Sequence, residues 1–218
     1  MKYEIFEIGE LKLCVSKEHR FGTDAVNLAD FAAPKPAQVI ADLCTGCGIV
    51  PFLLVSGEHS SPLHKIYALD INEDAVNLLR GSVRINSLEN IIFPVHEDLK
   101  NITQIPAGSV DLVTMNPPYY KADDGFRREG QGSARHELLC TLGDCIAAAG
   151  RLLKHGGRLK MCHIPERLTD VICTLRKYNL EPKVLRIISN NKNEPRLLLI
   201  DAKKGGKAGA VIQLTIDN

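Results

Sequence analysis

The chain has 218 residues, with 27 Lys and Arg against 26 Asp and Glu and a formal net charge of +1. A share of 44% hydrophobic and 24% charged residues is that of a globular domain and excludes a disordered or fibrous chain. The near-neutral charge argues against a surface that binds polyanions everywhere, but it leaves room for a local basic patch.

The stretches 3–8 and 11–16 are rich in apolar residues and flank Gly9-Glu10, which predicts a hairpin with a type II′ turn. A helix over 25–33 follows Phe21-Gly22-Thr23-Asp24, with Thr23 or Asp24 as its cap and Pro34 and Pro36 as its stop. From Gln38 onward β and α units alternate: a strand over 39–43, a helix over 49–55 with Pro51 in its first turn, and a strand over 65–69 closing on Asp70. Asn72 is placed to cap a helix over 73–86, in which Val76, Leu79 and Val83 share a face. Strands are expected at 91–95 and 110–115, then a long helix over 134–153 stopped by Gly156-Gly157. A strand over 158–163, a helix opened by Pro165, and strands over 183–188 and 196–201 complete the pattern. The 190–195 connection is too short for a crossover helix, so the last two are expected antiparallel. A basic turn over 203–207 leads to a final strand over 211–216.

Short apolar strands between helices predict a parallel sheet covered on both faces. The expected organisation is residues 1–37 as a hairpin and helix packed on the core, and 38–218 as one α/β domain. No run of about 18 apolar residues predicts a membrane span. Residues 1–7 lack a signal-peptide core, and the seven Cys are scattered and odd in number. A cytoplasmic location suits such a set better than a disulfide framework.

In an open α/β sheet, ligands bind beyond the carboxyl ends of the strands, near where the strand order reverses. The first strand of the sheet ends in Asp42-Leu43-Cys44-Thr45-Gly46-Cys47-Gly48. Glycines there allow a tight turn and close approach of a ligand. Asp70, at the end of the second strand, is placed to accept hydrogen bonds from ribose hydroxyls. A plain βα turn would also use the glycines, and Asp70 is what turns the reading toward an adenosine-bearing cofactor. Pro51 stands where a dinucleotide loop wants its third Gly or Ala, and no second mononucleotide half follows the fourth strand. The lone Cys44-x-x-Cys47 lacks the second pair that a zinc site would carry, and the seven His show no ligand spacing, so no metal site is expected.

The fourth strand runs into Asn116-Pro117-Pro118-Tyr119, where a diproline forces a rigid stop. The Asn116 side-chain oxygen and the Pro117 carbonyl are two acceptors suited to the two N–H donors of a planar amine. Acceptors placed where that nitrogen becomes tetrahedral free its lone pair for attack. The Tyr119 ring offers a face on which a base can stack. No strong general base is needed, because nitrogen becomes acidic once it has bonded an electrophilic carbon.

Asp42-Leu43-Cys44-Thr45-Gly46-Cys47-Gly48, Asp70, Asp98 and Asn116-Pro117-Pro118-Tyr119 resemble the ordered motifs of class I S-adenosylmethionine-dependent methyltransferases that act on exocyclic nitrogen. The likeness covers about residues 20–202 and is closest to the bacterial valine tRNA (adenine-N6)-methyltransferase family. There a Phe21-Gly22-Thr23-Asp24 segment and an Ala134-Arg135-His136-Glu137 stretch also have counterparts. Cys44 is the departure, standing where the wider superfamily often carries Gly. The resemblance implies a Rossmann-like class I methyltransferase fold, with a mostly parallel seven-stranded sheet, an antiparallel C-terminal strand, and an N-terminal β-hairpin plus helix. It implies S-adenosyl-L-methionine as cofactor, held by Gly22, Thr23, Asp24, Asp42, Cys44, Gly46, Gly48, Asp70, Ile71, Asp98 and Leu99. Asp70 would meet the ribose, Asp98 the adenine amine, and the 22–24 segment the methionine end. Asn116, Pro117 and Tyr119 would be catalytic. Pro118, Tyr120, Lys121, Arg127, Arg128 and Arg135 would meet the substrate.

The implied substrate is the N6 amine of an adenine in RNA, as in tRNA processing. Two alternatives stay open: methylation of a protein glutamine amide, which uses the same acceptor pair, and a non-catalytic RNA- or cofactor-binding module. The glutamine enzymes usually carry an extra N-terminal helical domain, whereas here residues 1–37 precede the first strand of the sheet. Lys121, Arg127, Arg128 and Arg135 are offset by Asp123, Asp124, Glu129 and Glu137, so a solvated loop fits that segment as well as an RNA contact does. Lys192, Arg196, Lys203, Lys204 and Lys207 outnumber Glu194, Asp201 and Asp217 and form a candidate phosphate patch.

Overall fold

A computed structural model describes residues 2–56, 65–119 and 140–216. Strands β1 (Glu4–Ile8) and β2 (Leu11–Val15) pair antiparallel with Ile8 opposite Leu11, which leaves Gly9-Glu10 as the whole turn. Gly9 has φ +57 and Glu10 does not share that sign, as a II′ turn requires. The edge of β2 is bound by helix α3 (Glu73–Ile85) and the residue after it. Lys12 N–H donates to Asn86 Oδ1 (2.9 Å), the Asn86 amide donates back to the Lys12 carbonyl (2.7 Å), and Cys14 N–H donates to Ser82 Oγ (2.8 Å). Side chains of α3 and its C-cap residue thus bond the free edge of β2.

Helix α1 (Thr23–Ala32) starts two residues before the expected 25. Gly22 is the N-cap and makes no side-chain bond, so Thr23 and Asp24 lie inside the first turn, where a carboxylate favours the helix dipole. Ala33 closes the helix in the left-handed conformation just before Pro34.

The sheet comprises β3 (Val39–Leu43), β4 (Lys65–Asp70), β5 (Ile92–His96), β6 (Val110–Met115), β7 (Leu153–His163), β8 (Leu180–Ser189), β9 (Pro195–Lys204) and β10 (Val211–Ile216). Its order is β10-β8-β9-β7-β6-β3-β4-β5, with β9 alone antiparallel to its neighbours. The order reverses between β3 and β6, the place where an open α/β sheet takes its ligand at the carboxyl ends. The seven strands expected are present. An eighth, β10, runs parallel to β8 on the side away from β9, so the antiparallel strand is the penultimate one. β10 leaves Val211, Ile212, Leu214 and Ile216 exposed.

Helices α2 (Ile49–Ser56), α4 (Leu142–Leu152) and α5 (Leu168–Lys177) complete the layers. Helix α4 is shorter than the predicted 134–153. Thr141 and Asp144 form a reciprocal capping box that starts it, and residues 134–139 lie outside the described residues. It ends at Leu152, where β7 begins at once, so Gly156-Gly157 lie inside a strand rather than at a helix stop. The ladder between β6 and β7 shifts register there, and a Cβ on Gly157 would meet the Asp111 carbonyl at 3.1 Å.

Two apolar clusters lie on the two faces of the sheet. One holds Leu28, Phe31, Ile40, Phe52 and Leu79 under α1, α2 and α3. The other holds Leu43, Leu69, Met115, Ile146 and Leu175 under α4 and α5. No helix among the described residues is long and apolar enough to cross a membrane.

Candidate active site

The loop after β3 is bound at its base: Thr45 N–H donates to the Leu69 carbonyl (3.0 Å) and Gly48 N–H to the Thr45 carbonyl (2.9 Å). Its two glycines do different work. Gly46 has φ +56, and a Cβ there would meet nothing within 4 Å, so this is the residue that leaves the crevice open. Gly48, with φ +90, is buried, and a Cβ would lie 2.3 Å from Leu79 Cδ1. Its smallness therefore serves helix packing, a correction to the expectation that both glycines make way for a ligand.

Asp70 organises the same loop. One carboxylate oxygen accepts from Gly46 N–H (2.8 Å) and the other from Asn72 N–H (2.9 Å), which leaves further lone pairs for ribose hydroxyls. Asp42 is almost wholly buried. Its Oδ1 accepts from the Thr114 hydroxyl (2.6 Å), while Oδ2 and the nearby Thr45 Oγ1 lack partners. Burial pushes the Asp42 carboxyl up to about 7, against the pull of the Thr114 hydroxyl. A buried orphan carboxylate oxygen beside an open glycine is what a cofactor bearing an ammonium and a ribose would complete, so these residues fit S-adenosylmethionine.

The remaining cofactor candidates divide. Ile71 is half-buried, and its carbonyl faces His96 Nε2 at 3.0 Å. Asp98 caps a single 3-10 turn over Leu99–Asn101, accepting from Lys100 N–H (2.9 Å) and pairing with Lys100 Nζ at 3.5 Å. The Leu99 side chain is in the core, so only its backbone can face a ligand. Gly22 and Thr23 are exposed at the start of α1, and Asp24 reaches toward the other half of the site.

That half is built on β6. Register pairs Met115 with Met161, which places Asn116 beside Cys162 on β7. Asn116 Oδ1 accepts from the Tyr119 hydroxyl (2.7 Å) and from Cys162 Sγ (3.1 Å). The same hydroxyl lies 3.0 Å from Asp24 Oδ2 and 3.3 Å from Cys162 Sγ. Tyr119 therefore turns its polar end inward and packs its ring 5.3 Å from that of His163, whereas the sequence suggested a free Asn oxygen and an outward stacking face. Burial pushes the Tyr119 phenol far above its ordinary value. Burial likewise lowers His163 to about 4, and its Nδ1 accepts from Ile164 N–H (2.9 Å). Pro117 is buried and Pro118 half-buried. Tyr120, Lys121, Arg127, Arg128 and Arg135 lie outside the described residues.

Cys162 and His163 escaped the sequence reading because only strand register brings them to Asn116. The basic tail is partly structural: Lys204 Nζ donates to the Leu153 carbonyl (2.7 Å), and Asp201 is paired with Arg158 (2.7 Å). Cys44 and Cys47 do not form a pair, since Cys47 packs with the α2 face of the sheet and Cys44 with the α4 face. Cys44 instead meets Cys140 and Cys145, their sulfurs all within 4.8 Å of one another. Hydrogen bonds from Cys145 and Cys44 favour the thiolate of Cys140.

Residues 27–126 match the TRM5/TYW2 methyltransferase domain. The fold is the Rossmann-like class I methyltransferase fold, and this domain match supports an S-adenosylmethionine-dependent methyltransferase. Among its relatives is a protein of Aeromonas salmonicida named tRNA1(Val) (adenine(37)-N6)-methyltransferase, 27% identical over 83% of this chain and 75% of the relative. The Flavobacterium johnsoniae protein of the same name is 28% identical over 83% and 77%. A predicted O-methyltransferase from Agrobacterium tumefaciens shares the fold with TM-score 0.69 at 19% identity, covering 88% of this chain and 86% of the other. TYW2 of M. jannaschii, solved with AdoMet, does so with TM-score 0.64 at 15% identity, covering 92% and 85%.

Proposed function

We propose that this methyltransferase modifies the exocyclic N6 amine of an adenine in a tRNA, in the cytoplasm. The observation that carries the reading is the Asn116-Pro117-Pro118-Tyr119 turn at the end of β6, next to the strand that carries Asp42 and the open Gly46. The names of the Aeromonas and Flavobacterium relatives support the same substrate.

The bound cofactor supplies one electrophilic methyl carbon on a sulfonium. Asp70 offers its remaining lone pairs to the ribose hydroxyls, Asp42 Oδ2 takes the methionine ammonium, and Asp98 takes the adenine amine. Gly22, Thr23 and Asp24, at the start of α1, close over the methionine end. Asn116 Oδ1 and the Pro117 carbonyl accept the two protons of the target amine and draw its nitrogen toward tetrahedral geometry. For this the Tyr119 hydroxyl gives up its bond to Asn116 and keeps Asp24 as partner, while its ring stacks on the incoming base. The proton lost after C–N bond formation goes to water. The Tyr119 phenol holds its proton too firmly to act as base, and the one described His beside it has Nδ1 already engaged.

The test is methyl transfer from labelled S-adenosylmethionine to unmodified tRNA, followed by nucleoside mass spectrometry. N6-methyladenosine that disappears in Asn116→Ala is expected. No product with any bulk RNA fraction, or label on a release-factor glutamine instead, overturns the reading.

A further inference from the structure

Three sulfurs from two separated stretches of chain, the glycine loop and the start of α4, converge. Cys44 lies in the loop itself, Cys140 immediately precedes the N-cap of α4, and Cys145 sits in that helix. All three are free thiols, and the Cys140 and Cys145 sulfurs are 3.7 Å apart. Zinc–thiolate bonds of about 2.3 Å in a tetrahedral site place sulfur pairs about 3.8 Å apart, so the Cys140–Cys145 pair is already at the separation that one cation would impose, and Cys44 lies within 4.8 Å of both.

A second observation points the same way. Cys44 has φ +59, a left-handed conformation that costs a residue with a Cβ roughly 1–2 kcal/mol. Glycine would avoid that cost, and the chain uses glycine at two nearby positions of the same loop. Left-handed Cys44 sends its sulfur to the α4 face, while Cys47, three residues on, goes to the other. Backbone strain kept for a sulfur that meets two others suggests that the sulfur has a use.

We propose that Cys44, Cys140 and Cys145 form a three-thiolate site for a thiophilic d10 cation, zinc(II), which ties the glycine loop to the start of α4. Three S–H groups release their protons to solvent as three Zn–S bonds form, and the site passes from neutral to a net charge of −1. The fourth position belongs to water or a solute. The ion would act on the cofactor cradle from below, because the loop that it pins carries Gly46, whose N–H holds Asp70. This site does not depend on which nitrogen the enzyme methylates.

The test is titration of the reduced, full-length protein with Co²⁺, with zinc as competitor and the metal content of the purified protein measured in parallel. We expect one cobalt per chain, a near-ultraviolet thiolate charge-transfer band, proton release on binding, and displacement by zinc. Cys140→Ser and Cys145→Ser should weaken binding roughly a hundredfold or more, while Cys173→Ser, at an exposed position, should not change it. Cys44→Gly separates ligation from folding. It relieves the left-handed strain, so it should melt at or above the temperature of metal-stripped wild type and yet show no cobalt band. Absence of uptake by the wild type, or wild-type uptake by Cys44→Gly, overturns the proposal. So does a chain that takes up no metal and loses two hydrogens in mass on mild oxidation, which would make the trio a dithiol–disulfide pair.

Discussion

At pH 8 and without cofactor, Asp42→Asn should stabilise the protein. The folded chain holds the Asp42 carboxyl at about 7 against an ordinary value of 3.8. The folded state therefore keeps a proton that the unfolded chain has released, and stability falls as the pH climbs from about 4 through about 7. A shift of three units corresponds to about 4 kcal/mol, present as a penalty above pH 7 and absent below pH 4. Asparagine does not titrate. Its oxygen can still accept from the Thr114 hydroxyl, and its amide can donate to Thr45 Oγ1, which lacks a partner. Urea denaturation of both proteins across pH 4–8 should show curves that coincide at the acid end and separate in favour of Asp42→Asn, by about 2–4 kcal/mol at pH 8. A pH-independent difference, or a variant weaker than wild type at pH 8, would refute the argument.

The same carboxylate should reverse that ranking once cofactor is added. If Asp42 Oδ2 receives the methionine ammonium, binding needs the ionised acid. Wild-type affinity for S-adenosylmethionine should then rise by up to about tenfold per pH unit below about 7 and level off above it. Calorimetry of Asp42→Asn should give weaker binding with no such slope. An unsloped wild-type profile would remove Asp42 from the cofactor site and leave its stability penalty unexplained by function.

Asn116→Ala should lower kcat on the order of a hundredfold or more, with S-adenosylmethionine affinity unchanged by calorimetry; a parallel loss of cofactor binding would mean that the residue supports the cradle instead. Tyr119→Phe removes the hydroxyl that now occupies Asn116 Oδ1, so single-turnover rates on tRNA should match or exceed wild type, whereas Tyr119→Ala should lose roughly ten- to a hundredfold through lost stacking. Equal damage from both would locate the function in the hydroxyl. Gly48→Ala should destabilise by about 2 kcal/mol or more in urea denaturation, because left-handed strain is added to a methyl pressed on Leu79. Gly46→Ala meets no neighbour and should cost about 1–2 kcal/mol while weakening the cofactor. The opposite order of stabilities would mean that the loop turns its open side the other way.

The strands at 39–43 and 110–115 were legible to the residue, since a short apolar run ending in a glycine loop or a diproline has little freedom in where it stops. Boundaries set by a cap were also legible where the cap stood alone, as at Asn72, whose side chain accepts from Ala75 N–H at 3.2 Å. They were misplaced where two polar residues competed, as at Thr23 and Asp24, or where a hydrophobic period ran on past a capping box, as at Thr141. The last strand was visible, but its partner was not, because pairing with β8 rather than β9 depends on how the Gly205-Gly206 turn carries the chain across the sheet.

Within the site, legibility followed how far a residue's role depends on its own chemistry. Asp70 and Asn116 could be picked out because a carboxylate or carboxamide at a strand end has few other uses. The division of labour between Gly46 and Gly48 depends on Leu79 in another helix, and spacing in the loop carries no trace of it. The cysteines make the point most sharply. Cys44-x-x-Cys47 has the spacing of a chelating pair, yet one left-handed residue sends the two sulfurs to opposite faces of the sheet. The partners that Cys44 does meet lie about a hundred residues further along, brought in by the parallel crossover from β6 through α4. A spacing rule assumes uniform backbone between its members, and the glycine loop is where this chain departs from it. Ligand sets near such loops are better sought among residues that converge in the folded sheet than among neighbours in sequence.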